Sequence, residues 1–363
     1  MGGHKKTAFI GLPGPRRFNK QTVKKSISQI TGDVNISAVQ RQLKGLPKRK
    51  RQSEPIALAY EKTNLPDRNK IAYDLRTCSK VMTFADLGLG YELVSAYFCK
   101  RRLCPCCSWR RARKIFANVY SVITDKEFSG KEFIFITLTV RNVPGDSLSS
   151  AIDHLWQGFR KLTQTPSSPF RKSFAGTFRA VEITYNPDSK DYHPHLHIMA
   201  AVEPGYFRKD NPDYISHERL LNLWQKVCGL DYRPNVHIKK IKGNEDSVAE
   251  AAKYVVKPGP LTDPVVVETL HRALHGRRLI GYTGLFKTVK AKLNLPDEDD
   301  PPEQDCPKWQ AEEAMQNPYI RKIVVEWNLG TYRISAVPQS PEEKSMSGIA
   351  LDLMSAFGGQ GGD

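Results

Sequence analysis

The stretch 191-DYHPHLHIMAAV-202 places three histidines at alternate positions, directly before a continuous apolar run. Side chains alternate between the two faces of a β-strand, so His193, His195 and His197 share one face while Leu196 points to the other. Successive histidines on that face are about 7 Å apart at Cα, so two imidazoles can bind one divalent cation. The pattern predicts a metal-binding strand, and a polar strand face without a metal is the alternative.

A second strand is predicted immediately before the histidines, at 176-GTFRAVEITYN-186. The connection 186-NPDSKD-191 is rich in turn-forming residues, so the two strands are predicted to pair as an antiparallel hairpin. Within such a hairpin Glu182 could lie across from the histidines. It would then complete a site of two histidines and one carboxylate.

The segment 246-DSVAEAAKYVVKPG-259 is predicted to be a helix. Glu250 and Tyr254 are four residues apart, so they lie one above the other on the helix. Lys253 and Lys257 flank them, and nearby positive charge favours the phenolate form of a tyrosine. This arrangement suits a tyrosine nucleophile with a carboxylate as general base. An ordinary surface pair of glutamate and tyrosine is the alternative.

Cysteines cluster in 99-CKRRLCPCCSWRRARK-114, with one pair at the two-residue spacing of a zinc knuckle. The chain has seven cysteines and no stretch typical of a signal peptide, which favours metal binding over disulfides. Cys106 competes as a ligand, although its immediate neighbour makes it awkward for tetrahedral closure. Buried free thiols are the alternative to a structural zinc site. The four predicted ligands are Cys78, Cys99, Cys104 and Cys107.

The formal net charge of +17 over 363 residues indicates a polyanionic partner, with nucleic acid as the default. Residues 1–70 carry 16 Lys and Arg against four Asp and Glu, and their tightest basic cluster is 48-KRKR-51. We expect this region to be a basic, flexible arm that can bind DNA phosphates. Arginines interleaved with the cysteines are predicted to contact DNA, and so are the two lysines beside Tyr254. The full set is Arg101, Arg102, Arg110, Arg111, Arg113, Lys253 and Lys257.

Periodic apolar patterns outline an α+β fold with a central antiparallel sheet flanked by helices, and a zinc-knuckle region N-terminal to it. Strands are predicted at 132–140, 176–186, 195–202 and 235–242, with hairpins within 78–99 and 319–337. Helices are predicted at 107–125, 148–163, from Ser216 as N-cap to Gly229, and at 246–257.

The motifs and their order along the chain resemble those of the replication initiators of small rolling-circle plasmids. These initiators form the single-tyrosine branch of the HUH (His-hydrophobe-His) endonuclease superfamily. The resemblance covers roughly residues 78–290. Each segment is weakly specific alone, and their order makes the combination specific. The matching segments are 99-CKRRLCPCCSWRRARK-114, 133-FIFITLTVRNV-143, 181-VEITYNPDSKDYHPHLHIMAAV-202, 214-YISHERLLNLWQKVCG-229, 250-EAAKYVVK-257 and 282-YTGLFK-287.

The resemblance implies a metal-dependent, site-specific nickase and strand transferase. His195 and His197 would be the paired ligands of a divalent cation, Mn²⁺ or Mg²⁺, with His193 outside the core motif. Tyr254 matches the family's nucleophile, which forms a 5′-phosphotyrosine and leaves a 3′-OH primer. Glu250 matches the carboxylate that activates water at termination. Glu182 as third ligand follows from the hairpin geometry and not from the resemblance.

The implied partner is origin DNA, as a single-stranded or hairpin nick site with flanking duplex, together with a host helicase and polymerase. We expect a cytoplasmic protein without a membrane span; a dimer is one of the oligomeric states left open. A relaxase or transposase with the same chemistry, and a non-catalytic zinc DNA-binding regulator, are the alternatives. The predicted regions are a basic arm (1–70), a zinc-binding, DNA-contacting region (71–130), a nuclease domain (131–290) and a C-terminal extension with a hairpin and a disordered tail (291–363).

Overall fold

The computed structural model of the chain describes residues 36–208, 210–241, 261–298 and 304–336. Among these residues, no helix combines the length and the apolar composition that crossing a membrane requires. The described helices are α1 (Ile36–Leu43), α2 (Leu46–Glu61), α3 (Arg68–Thr77), α4 (Pro105–Ile123), α5 (Leu148–Gln164), α6 (Pro169–Ser173), α7 (His217–Cys228), α8 (Pro264–Leu274), α9 (Gly284–Lys292) and α10 (Lys308–Gln316).

Nine strands form two antiparallel sheets within the described residues. The sheet that carries the histidines has five strands in the order β6-β3-β5-β4-β7, and the second has four in the order β2-β1-β8-β9. The predicted α+β class, with antiparallel sheet and flanking helices, is confirmed. The strands are β1 (Val81–Asp86), β2 (Tyr91–Ala96), β3 (Glu132–Thr139), β4 (Gly176–Asn186), β5 (Asp191–Val202), β6 (Val236–Ile241), β7 (Ile280–Thr283), β8 (Lys322–Asn328) and β9 (Thr331–Ala336).

Strand β5 lies at the centre of the five-stranded sheet because its apolar end is buried on both sides. Leu196, Ile198 and Ala200 are fully buried on one face, where α5 packs against the strand. Strand β3 pairs with β5 along its whole length, and β4 pairs on the other side. The hairpin predicted from the turn-forming residues 186–191 is confirmed, and its two strands position the site described below.

Helices α5 and α7 cover the apolar face of this sheet, as their periodicity predicts. Trp224 of α7 is fully buried, and its Nε1–H donates a hydrogen bond of 2.8 Å to the carbonyl of Thr139 on β3. Gly158 of α5 faces Trp224 and Cys228 so closely that a Cβ at residue 158 would collide with both side chains. Glycine is therefore required where the two helices cross.

The ends of α7 also follow the sequence prediction. The Ser216 hydroxyl accepts a hydrogen bond of 3.2 Å from the backbone N–H of Arg219 at the N-terminus. Gly229 closes the C-terminus in the left-handed region, with φ of 61°. Both caps satisfy backbone groups that a helix end leaves without intrahelical partners. The predicted helix 246–257 lies outside the described residues.

The four-stranded sheet joins two hairpins that are far apart in the chain. The hairpins predicted within 78–99 and 319–337 are both present, as β1–β2 and β8–β9. Strand β8 pairs with β1, with Val325 opposite Met82 and Ile323 opposite Phe84. Local sequence patterns carry no signal for such a pairing, so the sequence did not predict this sheet. The boundaries of the four regions predicted from the sequence, at residues 70, 130 and 290, stay a prediction.

The expected flexible arm is wrong for residues 36–70, because α1 and α2 pack into the core there. Ile56, Ala57 and Tyr60 of α2 are almost fully buried. The Tyr60 hydroxyl forms a hydrogen bond of 3.1 Å with Nδ1 of His271 on α8. Pro55 lies inside α2 and basic residues crowd its first turns, so its apolar periodicity is weak. That weakness explains why the helix was missed.

Lys50, within the basic cluster 48-KRKR-51, is a structural residue. Its side chain is buried, at 4% exposure. The ammonium donates hydrogen bonds to the backbone carbonyls of Leu75, Arg76 and Cys78, at 3.3, 2.6 and 2.6 Å. It thus satisfies carbonyls at the C-terminus of α3, where a positive charge is favourable. Lys50 does not reach an external phosphate in this position.

We predict that Lys50→Met lowers the free energy of unfolding by about 2 kcal/mol, because three carbonyls lose an ammonium donor in a buried position. Methionine keeps much of the aliphatic stem, so the loss of packing is small. The measurement is denaturant unfolding monitored by circular dichroism. Lys48→Met is the control, since Lys48 is exposed on the same helix. Equal effects of the two substitutions would contradict a structural role for Lys50.

Candidate active site

The β4–β5 hairpin brings one acidic side chain onto the histidine face. Glu182 of β4 lies directly opposite His195 of β5, and His197 is two residues further along the same face. The turn between the strands includes a hydrogen bond of 3.0 Å from the N–H of Asp188 to Asn186 Oδ1. Because residues directly opposite in an antiparallel pair share a face, this register places the carboxylate among the imidazoles.

The three side chains converge on one small volume. Glu182 Oε2 lies 3.0 Å from His195 Nε2 and 2.8 Å from His197 Nε2. One ligand atom from each residue lies within 4.8 Å of the others, as in a group that could hold a metal ion. Glu182 is 1% exposed and His197 is 8% exposed. The structure therefore brings together the three residues that the sequence named as metal ligands.

Glu182 is a carboxylate at neutral pH. Burial alone would raise its pKa, but the hydrogen bonds and positive charge of His195 and His197 outweigh burial and lower the pKa to about 2. The site therefore presents a permanent negative charge between two imidazoles. This is a ligand set that divalent metals accept.

Neighbouring groups orient both imidazoles. Nδ1 of His195 lies 3.1 Å from the backbone carbonyl of His193, so Nδ1 carries a proton and donates it there. Nε2 then points to the Glu182 carboxylate, so both nitrogens of His195 face acceptors. A neutral imidazole has only one N–H proton, and Nδ1 carries it. A cation bound to Nε2 would therefore take the place of a second proton between Nε2 and the carboxylate. The chemistry of these donors fits a divalent metal.

Two side chains of β3 complete the surroundings of His197. Thr137 Oγ1 lies 3.4 Å from His197 Nδ1, and the Phe135 ring stacks on the imidazole with centroids 5.4 Å apart. Neither residue was named from the sequence. Extending the two-residue alternation to 133-FIFITLTVRNV-143 would have found them, because Thr137 lies opposite His197 in the sheet.

His193 lies beside the three ligands and not among them. Its ring packs edge-on against His195 with centroids 5.2 Å apart. Its Nε2 is buried and has no hydrogen-bond partner among the residues that the structure describes. Burial, and then the positive charge of His195, lower the pKa of His193. His193 is therefore a neutral neighbour of the site at pH 7.

The four cysteines named from the sequence form a second cluster. Cys78 Sγ lies 3.5 Å from the sulfurs of Cys104 and Cys107, and Cys99 Sγ lies 3.7 Å from Cys107. Tetrahedral zinc with Zn–S bonds of about 2.3 Å separates its sulfurs by about 3.8 Å, so the spacing fits that metal. Cys106 is not one of the four cysteines whose sulfurs converge, and its sulfur lies 3.8 Å from the hydroxyl of Ser53.

The structure places these cysteines at the junction of three elements. Cys78 follows α3, Cys99 follows β2, and Cys104 and Cys107 lie at the start of α4. A cation bound by all four cysteines would therefore connect the end of α3, the end of β2 and the start of α4, which are separate segments of the chain.

Two arginines predicted to contact DNA are buried instead. Arg111 is 2% exposed and donates to the carbonyl of Lys100 at 3.3 Å. Arg110 is 8% exposed, binds Asp305 at 2.8 Å and lies over the Phe98 ring. Both guanidinium groups hold the protein together, so the predicted DNA contact is wrong for them. An arginine in a basic run was taken for a surface residue.

The remaining predicted DNA-contact arginines are half-buried and engaged within the protein. Arg101 forms a two-pronged contact with Asp74, at 2.7 and 3.0 Å. Arg102 donates to the carbonyl of Arg277 at 2.9 Å, and Arg113 stacks over the Trp109 ring. The other predicted site residues lie outside the described residues, and these are Glu250, Lys253, Tyr254 and Lys257.

We predict that Glu182→Gln and His197→Ala each weaken Mn²⁺ binding by at least about tenfold, because a ligand is lost and not merely reoriented. The measurement is a Mn²⁺ titration followed by electron paramagnetic resonance. His193→Ala is the matched control from the same strand face and should bind Mn²⁺ like the wild-type protein. Equal weakening by all three substitutions would contradict the assignment of the ligands.

Comparisons with known proteins identify the family of the chain. A family model described as "Replication protein" matches residues 90–334. The chain is 35% identical over 237 residues to "Protein rep" of Streptococcus pneumoniae serotype 2, covering 63% of this chain and 73% of the relative. It is 38% identical over 271 residues to "Protein rep" of Bacillus sp, covering 66% and 86%.

A third relative, "Protein rep" of Lactiplantibacillus plantarum, is 33% identical over 282 residues, covering 71% of this chain and 86% of the relative. No solved structure gave a significant match. The matched region contains the histidine strand and three of the four clustered cysteines, since Cys78 lies before it. The chain therefore belongs to the Rep family of replication proteins, the family of plasmid replication initiators that its motifs resemble.

Proposed function

We propose that this protein nicks one strand of DNA at a double-strand plasmid origin and starts rolling-circle replication from the 3′-OH that it leaves. The observation that carries the proposal is the convergence of Glu182, His195 and His197 on one strand face of a Rep-family chain. Phosphodiester cleavage needs a group that stabilises negative charge on the phosphate, and this ligand set supplies a place for one.

Glu182, His195 and His197 would hold a divalent cation, Mn²⁺ or Mg²⁺. When bound, the cation would stabilise negative charge on the oxygens of the scissile phosphate. The Glu182 carboxylate would offset part of the positive charge of the cation. The hydrogen bond to the His193 carbonyl keeps Nε2 of His195 directed at the site. The Thr137 hydroxyl and the Phe135 ring restrict the orientation of the His197 ring.

Tyr254 would be the nucleophile. Its Oη attacks the phosphorus, the Oη–P bond forms, and the bond from phosphorus to the 3′ oxygen breaks. The 3′ oxygen takes up a proton and becomes the primer hydroxyl, while the 5′ side stays attached to the tyrosine. Lys253 and Lys257 are close in sequence and would favour the phenolate. The assignment rests on the position of Tyr254 in 250-EAAKYVVK-257 and on the family match.

Glu250 would act at termination. As a general base it would accept a proton from water, whose oxygen then attacks the phosphotyrosine and releases the enzyme. A second strand cleavage that closes the circle is the alternative ending. In either case the partner is origin DNA, with a single-stranded or hairpin nick site, flanking duplex, and a host helicase and polymerase that extend the primer.

Cys78, Cys99, Cys104 and Cys107 would bind a structural zinc ion. All four are outside the histidine strand; Cys78, Cys104 and Cys107 are buried and Cys99 is half-buried. The separations of their sulfurs fit tetrahedral zinc. Bound zinc would hold α3, β2 and α4 together and so stabilise the four-stranded sheet beside the nuclease site.

We predict that Tyr254→Phe abolishes nicking of a supercoiled plasmid that carries the replicon's origin, because phenylalanine has no oxygen to attack the phosphate. The measurement combines conversion to the open circle with a covalent protein–oligonucleotide adduct on a denaturing gel, both with Mn²⁺ present. Tyr214→Phe is the control, since Tyr214 is an exposed tyrosine in a different segment of the chain and should leave both signals intact. Nicking by the Tyr254→Phe protein would overturn the assignment.

The same experiment separates the role of Glu250. Glu250→Ala should nick like the wild-type protein and accumulate the covalent adduct, because only the hydrolytic step is lost. Equal loss of nicking and release would contradict a separate role. A protein that binds origin DNA without any adduct under these conditions would be a DNA-binding regulator.

We predict that the purified protein carries about one zinc ion per chain and that Cys107→Ser loses it, with a drop in stability of several kcal/mol. Zinc content is measured by mass spectrometry of the metal, and stability by thermal unfolding. Cys306→Ser is the control, because Cys306 is a buried cysteine outside the cluster. Zinc retained in Cys107→Ser, or lost in Cys306→Ser, would contradict the site.

A further inference from the structure

Strand β6 carries two basic side chains on the same sheet face as the metal ligands. In the antiparallel pairing of β3 with β6, His237 lies opposite Thr137 and Lys239 lies opposite Phe135. In the pairing of β3 with β5, Thr137 lies opposite His197. Directly opposite residues share a face, so His237, Thr137 and His197 form one row across the sheet, and Lys239 and Phe135 lie in the next row.

Both β6 side chains are exposed at the edge of the sheet. Within the described part of the chain, neither His237 nor Lys239 has an ion pair or a side-chain hydrogen bond. Because Lys239 is exposed and has no acidic partner among the described residues, its ammonium group is available to an external anion. Together with Phe135 these residues form a surface that we name the β6–β3 face.

Lys240, the next residue, is placed differently. Its side chain points to the opposite sheet face, where Nζ binds Glu132 at 2.6 Å and lies 4.6 Å from the centre of the Phe207 ring. The two neighbouring lysines therefore differ in surroundings. Lys239 faces the metal-ligand side and has no partner in the described ranges, whereas Lys240 is paired with Glu132 on the opposite face.

The β6–β3 face lies close to the metal ligands, on the same face of the sheet. Strands are about 4.8 Å apart, so two strand spacings place β6 about 10 Å from the histidines of β5. Phe135 lies between them, half-buried, with one side of its ring against His197. Exposed aromatic surface stacks nucleic-acid bases, and a neighbouring lysine neutralises phosphates.

We propose that the β6–β3 face binds the single-stranded DNA next to the phosphate that enters the metal centre. Lys239 contacts the phosphate backbone, with His237 beside it, and the exposed part of Phe135 contacts a base. The proposal rests on the proposed function, because it takes Glu182, His195 and His197 to be the place of the scissile phosphate. It makes β6 the side of the active site over which the DNA strand runs.

The test measures binding of fluorescently labelled single-stranded oligo(dT) to the full-length protein at several salt concentrations. Oligo(dT) lacks an origin sequence, so binding is measured without strand cleavage. Lys239→Ala should weaken binding several-fold at low salt and reduce the slope of log affinity against log salt by about 0.7, the value for one lost phosphate contact on a single strand. Lys239→Arg should retain the wild-type slope. Lys240→Ala is the matched control and should also leave the slope unchanged.

Three results would overturn the proposal: no binding of oligo(dT) by the wild-type protein, equal effects of Lys239→Ala and Lys240→Ala, or equal loss on single-stranded and duplex oligonucleotides of the same length. The Mn²⁺ affinity of Lys239→Ala should equal that of the wild-type protein, which excludes an indirect effect through the metal ligands. A Lys239 effect on oligo(dT) in a protein that forms no phosphotyrosine would uphold this surface and refute the proposed nicking. A phosphotyrosine adduct together with no effect of Lys239→Ala on oligo(dT) binding would refute the proposed surface and leave the proposed nicking intact.

Discussion

The register of β4 against β5 is the constraint on which the site depends. Glu182 meets the histidines only because it lies directly opposite His195. A slip of one residue would turn every side chain of one strand to the other face and separate the carboxylate from the imidazoles. The same slip would expose Leu196 and Ile198, which are fully buried. The free energy of burying this apolar set therefore also selects the alignment of the metal ligands.

Rigidity around the register comes from β3 and from the helices on the opposite face of the sheet. Trp224 of α7 is hydrogen-bonded to the backbone of β3, and Gly158 lets α5 approach α7 closely. β3 in turn holds Thr137 and Phe135 against His197. Imidazoles fixed by neighbours lose little freedom when they bind a cation, so the helices contribute to the preorganisation of the site from the far side of the sheet.

The features that the sequence predicted are those written in local patterns. Alternation predicted β5 and its histidine face, turn residues predicted the β4–β5 hairpin, and capping residues predicted both ends of α7. Sequence spacing also named the four cysteines that cluster. The pairing of β1 with β8 could not be predicted, since it joins segments over two hundred residues apart with no shared local signal. Helix α2 was missed because Pro55 and its basic first turns obscure the apolar face.

The basic residues were the hardest part to interpret, because a positive charge in the sequence does not reveal its partner. Lys50 and Arg111 belong to basic runs, yet their charges satisfy buried backbone carbonyls. Arg110 and Arg101 are bound to aspartates. Net charge is a statement about the whole molecule, and phosphate binding needs the charges that internal partners leave over. By that criterion Lys239 is a stronger candidate for a DNA contact than the arginines around the cysteines, although it stands in a short strand and in no basic run longer than two residues.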